Sequence, residues 1–289
     1  MNTLYPNPYS RNVIIILSKE LTLIQSCEGG KVLLRNPNKT KDELVAWIRN
    51  YMNESGGEAL QRKAVLGLSG GKDSTIAAAL CVEAIGKERV VAMLLPNRTQ
   101  YDLGDAIKVA NYLGIDSYLA NIGDIVTAIE RILSGSTPRP VGLNENTKIN
   151  IPPRVRMLML YAMAQEIGHA RVVNTSNRSE RHIGWSTKFG DGAGDFAPLA
   201  DLLSHEVVQI GKTLLLPTEL VEKKPADGLT GRSDEEVWGF SYAQLDHYIV
   251  TKQYDGNKFL RDMVDAKHYS SRHKYEPMPM FLLREHDVE

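Results

Sequence analysis

The residues of this chain that could do chemistry begin with a glycine-rich segment. Residues 64–74 read Ala-Val-Leu-Gly-Leu-Ser-Gly-Gly-Lys-Asp-Ser. The apolar run 64–68 predicts a buried strand, and the residues from Asp73 onward predict a helix. A glycine-rich turn between a strand and a helix presents free backbone N–H groups at the positive end of the helix. The segment therefore predicts a site for an anion, and above all for a phosphate.

Three kinds of loop share parts of this pattern. A Walker-A loop needs a hydroxyl after its lysine, but here Asp73 follows Lys72. A nucleophile elbow would place Ser69 on the turn, but it requires an upstream oxyanion loop, and no His-Gly-Gly stretch precedes it. Residues 69–74 resemble in full the Ser-Gly-Gly-x-Asp-Ser loop of ATP pyrophosphatases, in which glycines wrap a pyrophosphate and the acid can hold Mg²⁺. A glycine-rich turn without a ligand is the simpler alternative.

Composition is that of an ordinary globular protein. The chain has 289 residues, of which 43% are hydrophobic and 24% are charged, and its net charge is −1. This charge does not favour general nucleic-acid binding. Two distant cysteines, Cys27 and Cys81, indicate a reducing compartment. No apolar run is long enough to suggest a signal peptide or a membrane span, so we expect a cytoplasmic protein with no membrane partner.

Strands and helices alternate along the chain. The predicted strands after the first are residues 90–95, 117–121 and 170–173. The predicted helices are residues 102–113, 122–133 and 154–167. This alternation predicts an α/β fold with a doubly wound parallel sheet and flanking helices, with ligands at the carboxyl ends of the strands. We expect residues 1–40 to be a leader of unknown role, residues 36–42 to form a linker with a helix cap at Thr40 or Asp42, and residues 41–289 to form one domain.

A second polar segment follows the last predicted strand. Residues 174–195 contain four glycines and several acids, which is incompatible with one regular helix. Glu180, Asp191 and Asp195 offer oxygen ligands for Mg²⁺ or hydrogen-bond acceptors. The alternative is a solvated acidic loop.

Taken together, residues 40–289 resemble the ammonia-dependent NAD⁺ synthetases. The resemblance rests on several motifs in order along the chain. These are Gly67 to Ser74, Asn150-Ile-Pro-Pro-Arg154-Val-Arg156-Met157, the five-residue spacing of Thr175 and Glu180, Thr187-Lys188-Phe-Gly-Asp191-Gly-x-Gly-Asp195, Ser233-Asp-Glu-Glu with Gly239-Phe-Ser-Tyr242, and Ser271-Arg-His273-Lys274.

The resemblance implies a role for each matching residue. ATP binding is implied for Gly67, Leu68, Ser69, Gly70, Gly71, Lys72, Asp73, Ser74, Gln100 and Thr175. Mg²⁺ binding is implied for Asp73 and Glu180, which with Asp191 form the expected catalytic set. Binding of nicotinic acid adenine dinucleotide (deamido-NAD) is implied for Arg154, Lys188, Asp195, His273 and Lys274.

The resemblance also implies a reaction. The carboxylate of deamido-NAD attacks the α-phosphorus of ATP, pyrophosphate leaves, and ammonia converts the acyl-adenylate into the amide. Such chemistry depends on positioning and charge neutralisation rather than on a protein nucleophile. The chain length leaves no room for a glutaminase domain, so free ammonia is the expected nitrogen source. A homodimer with shared active sites is also implied, with the helix predicted from Arg154 to Ile167 at its interface.

Three positions depart from the family pattern. Lys72 replaces an apolar residue or Gln, Ser204 replaces a lysine that contacts ATP phosphates, and Ala226 replaces a threonine that binds ATP. Two alternatives therefore stay open. One is another ATP pyrophosphatase, such as a tRNA-modifying enzyme or a different amide ligase. The other is a nucleotide-binding relative with reduced turnover.

Overall fold

The structure is a computed structural model that describes residues 33–54, 61–100, 102–136, 142–223, 233–253 and 258–281. The expectations for residues 1–32, for Cys27 and for Ala226 lie outside the described residues.

A parallel sheet of four strands forms the centre of the described fold. Its strands are β1 (Lys63–Gly67), β2 (Val90–Leu94), β3 (Asp116–Leu119) and β4 (Ala170–Val172). The spatial order is β3-β2-β1-β4, so the chain moves outward from β1 to β3 and then returns to the other side of β1. The predicted parallel α/β sheet is thus confirmed.

Helices surround this sheet. They are α1 (Pro37–Asn53), α2 (Lys72–Ile85), α3 (Leu103–Leu113), α4 (Gly123–Ser136), α5 (Glu145–Ile167), α6 (Arg178–His182), α7 (Ser204–Thr213), α8 (Thr218–Val221), α9 (Asp234–Trp238), α10 (Tyr242–Thr251) and α11 (Lys258–Ser271). A 3₁₀ turn, Arg272–Lys274, follows α11. None of the described helices combines the length and the apolar character that a membrane crossing requires.

The core has two layers because strand side chains alternate between the faces of the sheet. Leu66 and Ala92 pack with the residues of α1, α2 and α7, whereas Val65 and Val91 pack with those of α4 and α5. A third cluster, under α9 and α10, is rich in aromatic side chains such as Trp238. Both faces of the sheet are therefore covered, as a doubly wound fold requires.

The prediction for the first helix was wrong. Residues 36–42 form no linker, because α1 begins at Pro37 and the side chain of Asn36 accepts a hydrogen bond from the backbone of Lys39. Asparagine is a favoured N-cap, and proline is favoured at the first helical position because its missing N–H is not needed there. The two signals lie side by side at Asn36 and Pro37.

The long fifth helix also begins earlier than residue 154. It starts at Glu145, capped by the side chain of Asn144, and it contains Pro152 and Pro153. Prolines remove backbone donors and normally end a helix, which is why the sequence predicted a start after them. Pro152 is buried here, so tertiary packing offsets the lost hydrogen bonds.

Candidate active site

The reversal of strand order places two loops side by side. β1 and β4 are hydrogen-bonded neighbours, and both run in the same direction. The loop after β1 leads into α2, and the loop after β4 leads into α6, so both leave the carboxyl edge of the sheet at the point where the order reverses. In α/β sheets this is the usual position of a ligand site. The two polar segments predicted from sequence are thus brought together.

The glycine-rich loop after β1 is held by its own hydroxyl groups. Ser74 Oγ donates to the carbonyl of Gly71 at 3.1 Å, and the Oγ atoms of Ser69 and Ser74 lie 3.0 Å apart. The backbone N–H of Gly71 donates to Ser69 Oγ at 3.2 Å. These contacts fix the loop into a compact turn at the start of α2, the geometry that suits a phosphate.

Gly70 in this loop cannot carry a side chain. Its φ is +77°, and a Cβ atom there would lie 2.7 Å from the backbone nitrogen of Ala106. The sequence did not indicate a further contact at this residue, in which Lys223 Nζ donates to the carbonyl of Gly70 at 3.2 Å. Lys223 also pairs with Asp105 at 2.8 Å, so a second cation lies beside the loop.

Lys72 is the buried cation of the loop. Only 5% of its surface is exposed, and its ammonium donates to both carboxylate oxygens of Asp73, at 2.8 and 2.9 Å. It also lies 5.8 Å from the centre of the Tyr242 ring. The lysine that departs from the family pattern therefore neutralises the acid that the sequence assigns to the metal.

Glu180 approaches Asp73 from the second loop. It lies in the one-turn helix α6, where it forms a capping box with Asn177. Asn177 Nδ2 also donates weakly to Asp73 Oδ1 at 3.4 Å, which links the two loops. Burial and then the negative charge of Asp73 raise the pKa of Glu180 to about 8, and Lys72 acts in the opposite direction. The pair thus repel each other in a site of low solvent access.

A buried hydrogen-bond network supports Glu180, and the sequence did not predict it. Tyr242 OH donates to Asp234 Oδ2 at 2.9 Å and lies 3.5 Å from Glu180 Oε1. Trp185 Nε1 donates to the other oxygen of Asp234 at 3.2 Å. Burial, and next the negative charge of Glu180, raise the pKa of Tyr242, so the phenol stays protonated as a donor. Trp185 also packs edge-on against Trp238.

The donor set fits a magnesium ion that also binds phosphates. Mg²⁺ is usually held by one or two carboxylates together with substrate phosphates, rather than by a complete protein cage. Asp73 and Glu180 supply two such carboxylates next to the phosphate loop, and their mutual repulsion would be relieved by a divalent cation. Among the described residues there is no group of three or more acids, histidines or cysteines that could hold a metal ion by itself.

A separate cavity of about 650 Å³ holds most of the predicted substrate-binding residues. It is lined by Arg154, Lys188, His273 and Lys274, together with polar residues at the start of α5. These residues are Asn144, Glu145, Asn146, Thr147 and Asn150. The cavity is cationic on one side, so it suits an anionic substrate. Sequence reasoning missed the contribution of 144–147 because it started α5 too late.

Backbone carbonyls orient the cations of this cavity. Lys274 Nζ donates to the carbonyls of Gly184 and Ser186, at 2.7 Å each, and Lys188 Nζ donates to the carbonyl of His273 at 2.7 Å. Arg154 Nε donates to the carbonyl of Lys188 at 3.2 Å. Burial lowers the pKa of Lys274, and the charge of Asp191 opposes this shift. The loop after β4 and the C-terminal 3₁₀ turn thus hold each other.

The two remaining acids of the loop have other partners. Asp191 Oδ1 accepts from the backbone N–H of Thr187 at 2.8 Å, and burial raises its pKa. Asp195 does not line the cavity. Its carboxylate accepts from the backbone of Val172 at 2.8 Å and from the hydroxyl of Tyr161 at 3.3 Å. Asp191 therefore shapes the loop, and Asp195 lies beside α5.

The other predicted nucleotide contacts lie near the sheet edge. Thr175 is half-buried in the loop after β4, and Gln100 Nε2 donates to Asp102 Oδ1 at 2.7 Å before α3. Ser204 is buried at the start of α7, where its backbone N–H donates to Ser179 Oγ at 2.9 Å. Ser204 thus belongs to the packing between α6 and α7.

Comparisons with known proteins agree with this geometry. The family model described as NAD synthase matches residues 40–287. The NH(3)-dependent NAD(+) synthetase of Archaeoglobus fulgidus is 38% identical, over 86% of this chain and 99% of the relative. The enzyme of the same name from Pyrococcus horikoshii is 40% identical, over 72% of this chain and 77% of the relative.

Solved structures with the same fold include two similar proteins. The NMN synthetase of Francisella tularensis has a TM-score of 0.74 and 31% identity, and the match covers 86% of this chain and 99% of that one. The NAD+ synthetase of Burkholderia pseudomallei has a TM-score of 0.66 and 26% identity, with 83% and 90% covered. Because the family model spans most of the chain and the relative from Archaeoglobus fulgidus is 38% identical over nearly its whole length, this chain belongs to the NAD synthase family.

Proposed function

We propose that this protein is an ammonia-dependent NAD⁺ synthetase that amidates deamido-NAD at the expense of ATP, releasing AMP and pyrophosphate. The observation that carries the proposal is the pairing of two sites at one sheet edge. The loop 69–74 suits the phosphates of ATP, and the cationic cavity around Arg154 and Lys274 suits a dinucleotide with a carboxylate. The names of the similar proteins support the same reaction.

The residues of the chain divide the work. The loop 69–74 and Lys72 hold the phosphates that leave as pyrophosphate, and Arg154, Lys188, His273 and Lys274 hold deamido-NAD. Asp73 and Glu180 would hold Mg²⁺, which would neutralise phosphate charge when bound. In the reaction that the family resemblance implies, the substrate's own carboxylate attacks the α-phosphorus and pyrophosphate leaves, and ammonia then attacks the acyl-adenylate with release of AMP.

We also propose that the enzyme works as a homodimer with shared sites. Leu158 and Tyr161 of α5 are 62% and 39% exposed, although other residues of this helix are core. Asp195, which lies away from the cavity, hydrogen-bonds with Tyr161 on this face. A two-fold contact here would bring Asp195 of one subunit toward the cavity of its partner.

Residues 41–289 are proposed to form one catalytic domain, which is supported by the span of the family match. A cytoplasmic location is consistent with Cys81, a free buried thiol whose pKa is raised by burial to about 12. Such a thiol is inert and needs no oxidising compartment.

A second candidate substrate is the acid mononucleotide that corresponds to NMN. It is favoured by one observation, the TM-score of 0.74 with a protein named NMN synthetase. Both substrates carry the same nicotinate carboxylate, so the reaction would be identical.

The test is direct. The purified chain should convert ATP to AMP and pyrophosphate only when deamido-NAD and ammonium are both present, with one NAD⁺ formed for each AMP. The rate should rise with the concentration of free NH₃, and glutamine should be a poor substitute. A higher kcat/KM for the mononucleotide would identify the second candidate, and ATP cleavage without either acid would contradict the proposal.

A further inference from the structure

A second cavity, of about 300 Å³, is lined by α6, by the end of α11 and by the 3₁₀ turn after it. It shares no lining residue with the phosphate loop or with the first cavity. Arg178, Arg181 and Arg272 lie on its wall. Among the described residues, Glu276 is the only acid that lines it, and Arg272 already pairs with Glu276 at 2.6 Å. The cavity therefore has an excess of positive charge.

Arg181 is the side chain best placed to bind a ligand here. Its guanidinium lies 4.2 Å from the centre of the Tyr275 ring, and it donates no hydrogen bond to any acceptor in the described part of the chain. Tyr275 is in turn held by a hydrogen bond between its hydroxyl and that of Ser186. Stacking on a fixed ring orients the plane of a guanidinium and leaves its N–H groups free for an anion.

Two stacked histidines complete the wall. The rings of His182 and His268 lie 4.2 Å apart and are inclined by 16°. His268 Nδ1 lies 2.8 Å from the carbonyl of His182, whereas His182 Nε2 is buried and has no partner among the described residues. The remaining arginine, Arg178, makes only a 3.7 Å contact with a fully exposed acid. Gathering such groups costs electrostatic energy unless an anion compensates them.

We propose that this cavity binds a phosphate group, with Arg181 as its main ligand and Arg178 as its second. A phosphate is favoured over a carboxylate because its several acceptor oxygens can use donors from two sides at once. The site goes beyond the proposed reaction, because none of its residues contacts the ATP loop. It also adjoins both working parts, since α6 carries Glu180 and Tyr275 follows Lys274. Occupancy would thus link the acid pair to the turn that orients the substrate cavity.

The experiment is a titration of the purified full chain with inorganic phosphate, without nucleotide or substrate. The imidazole signals of His268 are followed by NMR, and heat is measured in parallel by calorimetry. We expect a saturable shift of His268 and a dissociation constant that rises at least about tenfold in Arg181→Gln. Arg181→Lys keeps the positive charge but loses the paired N–H donors of the guanidinium, so its dissociation constant for phosphate should lie between those of the wild type and Arg181→Gln. Arg261→Gln, an exposed arginine of α11 outside the cavity, should bind as the wild type does.

Pyrophosphate and AMP are titrated in separate arms, because free phosphate, the proposed product and a nucleotide would all offer the same group. The anion that shifts His268 at the lowest concentration identifies the source. No saturable shift with any of the three would overturn the proposal, and so would a shift that Arg181→Gln leaves unchanged. A response of His268 that disappears in Ser74→Ala would mean that phosphate acts from the glycine loop instead. Melting temperatures verify folding, and Arg178→Gln provides the second variant if Arg181→Gln does not fold.

Discussion

The glycine-rich loop (residues 69–74) and the cavity around Lys274 differ in how their charged side chains are paired. At the loop, a buried lysine and two facing carboxylates lie within one small volume, and Lys72 is bound to Asp73 by two hydrogen bonds. In the cavity, Lys188 and Lys274 form no ion pair within the described part of the chain, and their ammonium groups donate to backbone carbonyls instead. The loop thus pairs its lysine with one acid and leaves Glu180 repelled by Asp73, which suits a cation, whereas the cavity presents lysines that suit an anionic substrate.

The largest expected effect comes from removing the negative charge of Asp73 at the loop. Asp73→Asn should lower turnover by at least about 10²-fold, because it removes a charged contact to the phosphates and their cation at the transition state. Steady-state release of pyrophosphate measures this effect. Asp116→Asn on the exposed strand β3 is the matched control and should keep wild-type rates. Near-normal release by Asp73→Asn would remove this residue from the catalytic set.

A substitution in the cavity should change the KM for deamido-NAD much more than the KM for ATP. Lys274→Met removes a cation and two bonds to the carbonyls of the loop, so the KM for deamido-NAD should rise by at least about tenfold. The KM for ATP should change much less. Lys258→Met, at the exposed start of α11, provides the control. Equal losses for both substrates would mean that the two sites are not separable.

The proposed dimer face tests whether the cavity is complete in one subunit. Leu158→Glu should yield monomers in sedimentation, because a charge on the exposed apolar face opposes burial against a second copy. These monomers should keep ATP binding and lose affinity for deamido-NAD. Ile107→Glu, which also replaces an exposed apolar residue by glutamate but lies on α3, should leave the assembly intact. A fully active wild-type monomer at assay concentration would refute shared sites.

The part of each region that the sequence could predict depends on whether its residues are close together or far apart along the chain. The loop is local in sequence, so residues 69–74 indicated both its turn and its anion chemistry, and the alternation of strands and helices indicated a parallel sheet with ligands at the carboxyl ends of its strands. The family resemblance supplied the substrate residues of the cavity. The support of Glu180 by Tyr242 and Asp234 joins segments more than 50 residues apart, and Lys223 reaches Gly70 across 153 positions. No local pattern encodes such contacts. The start of α5 was missed because prolines usually end a helix, and only burial explains their place here.

A substitution of Lys72 tests whether its buried ammonium contacts the ATP phosphates or only holds Asp73 in place. Lys72→Gln should raise the KM for ATP by about tenfold if the ammonium moves to a phosphate, the value of one charge-assisted contact. Ser204→Lys offers the converse change, and it should lower the KM for ATP only if a long side chain escapes from its buried position beside Ser179. Steady-state rates at varied ATP concentration measure both KM values, and isothermal titration with a non-hydrolysable ATP analogue gives the corresponding affinities. An unchanged affinity in Lys72→Gln would limit Lys72 to holding Asp73.

The smallest expected effect concerns stability, at a residue that lies in α6 but lines neither the glycine-rich loop nor the first cavity. Burial, followed by the nearby His268 and Lys252, lowers the pKa of His182 to about 4 from an ordinary value of 6.5. The unfolded chain therefore binds a proton at this residue between these two pH values, while the folded chain does not. The free energy of unfolding should accordingly contain a contribution that is complete above pH 6.5 and is lost as the pH falls toward 4. Urea unfolding in phosphate-free buffer at several pH values measures it, and His182→Gln should flatten the profile in that window without changing the KM for either substrate. If His182→Gln unfolds with the same dependence on pH as the wild type, His182 is not the group that titrates in this range.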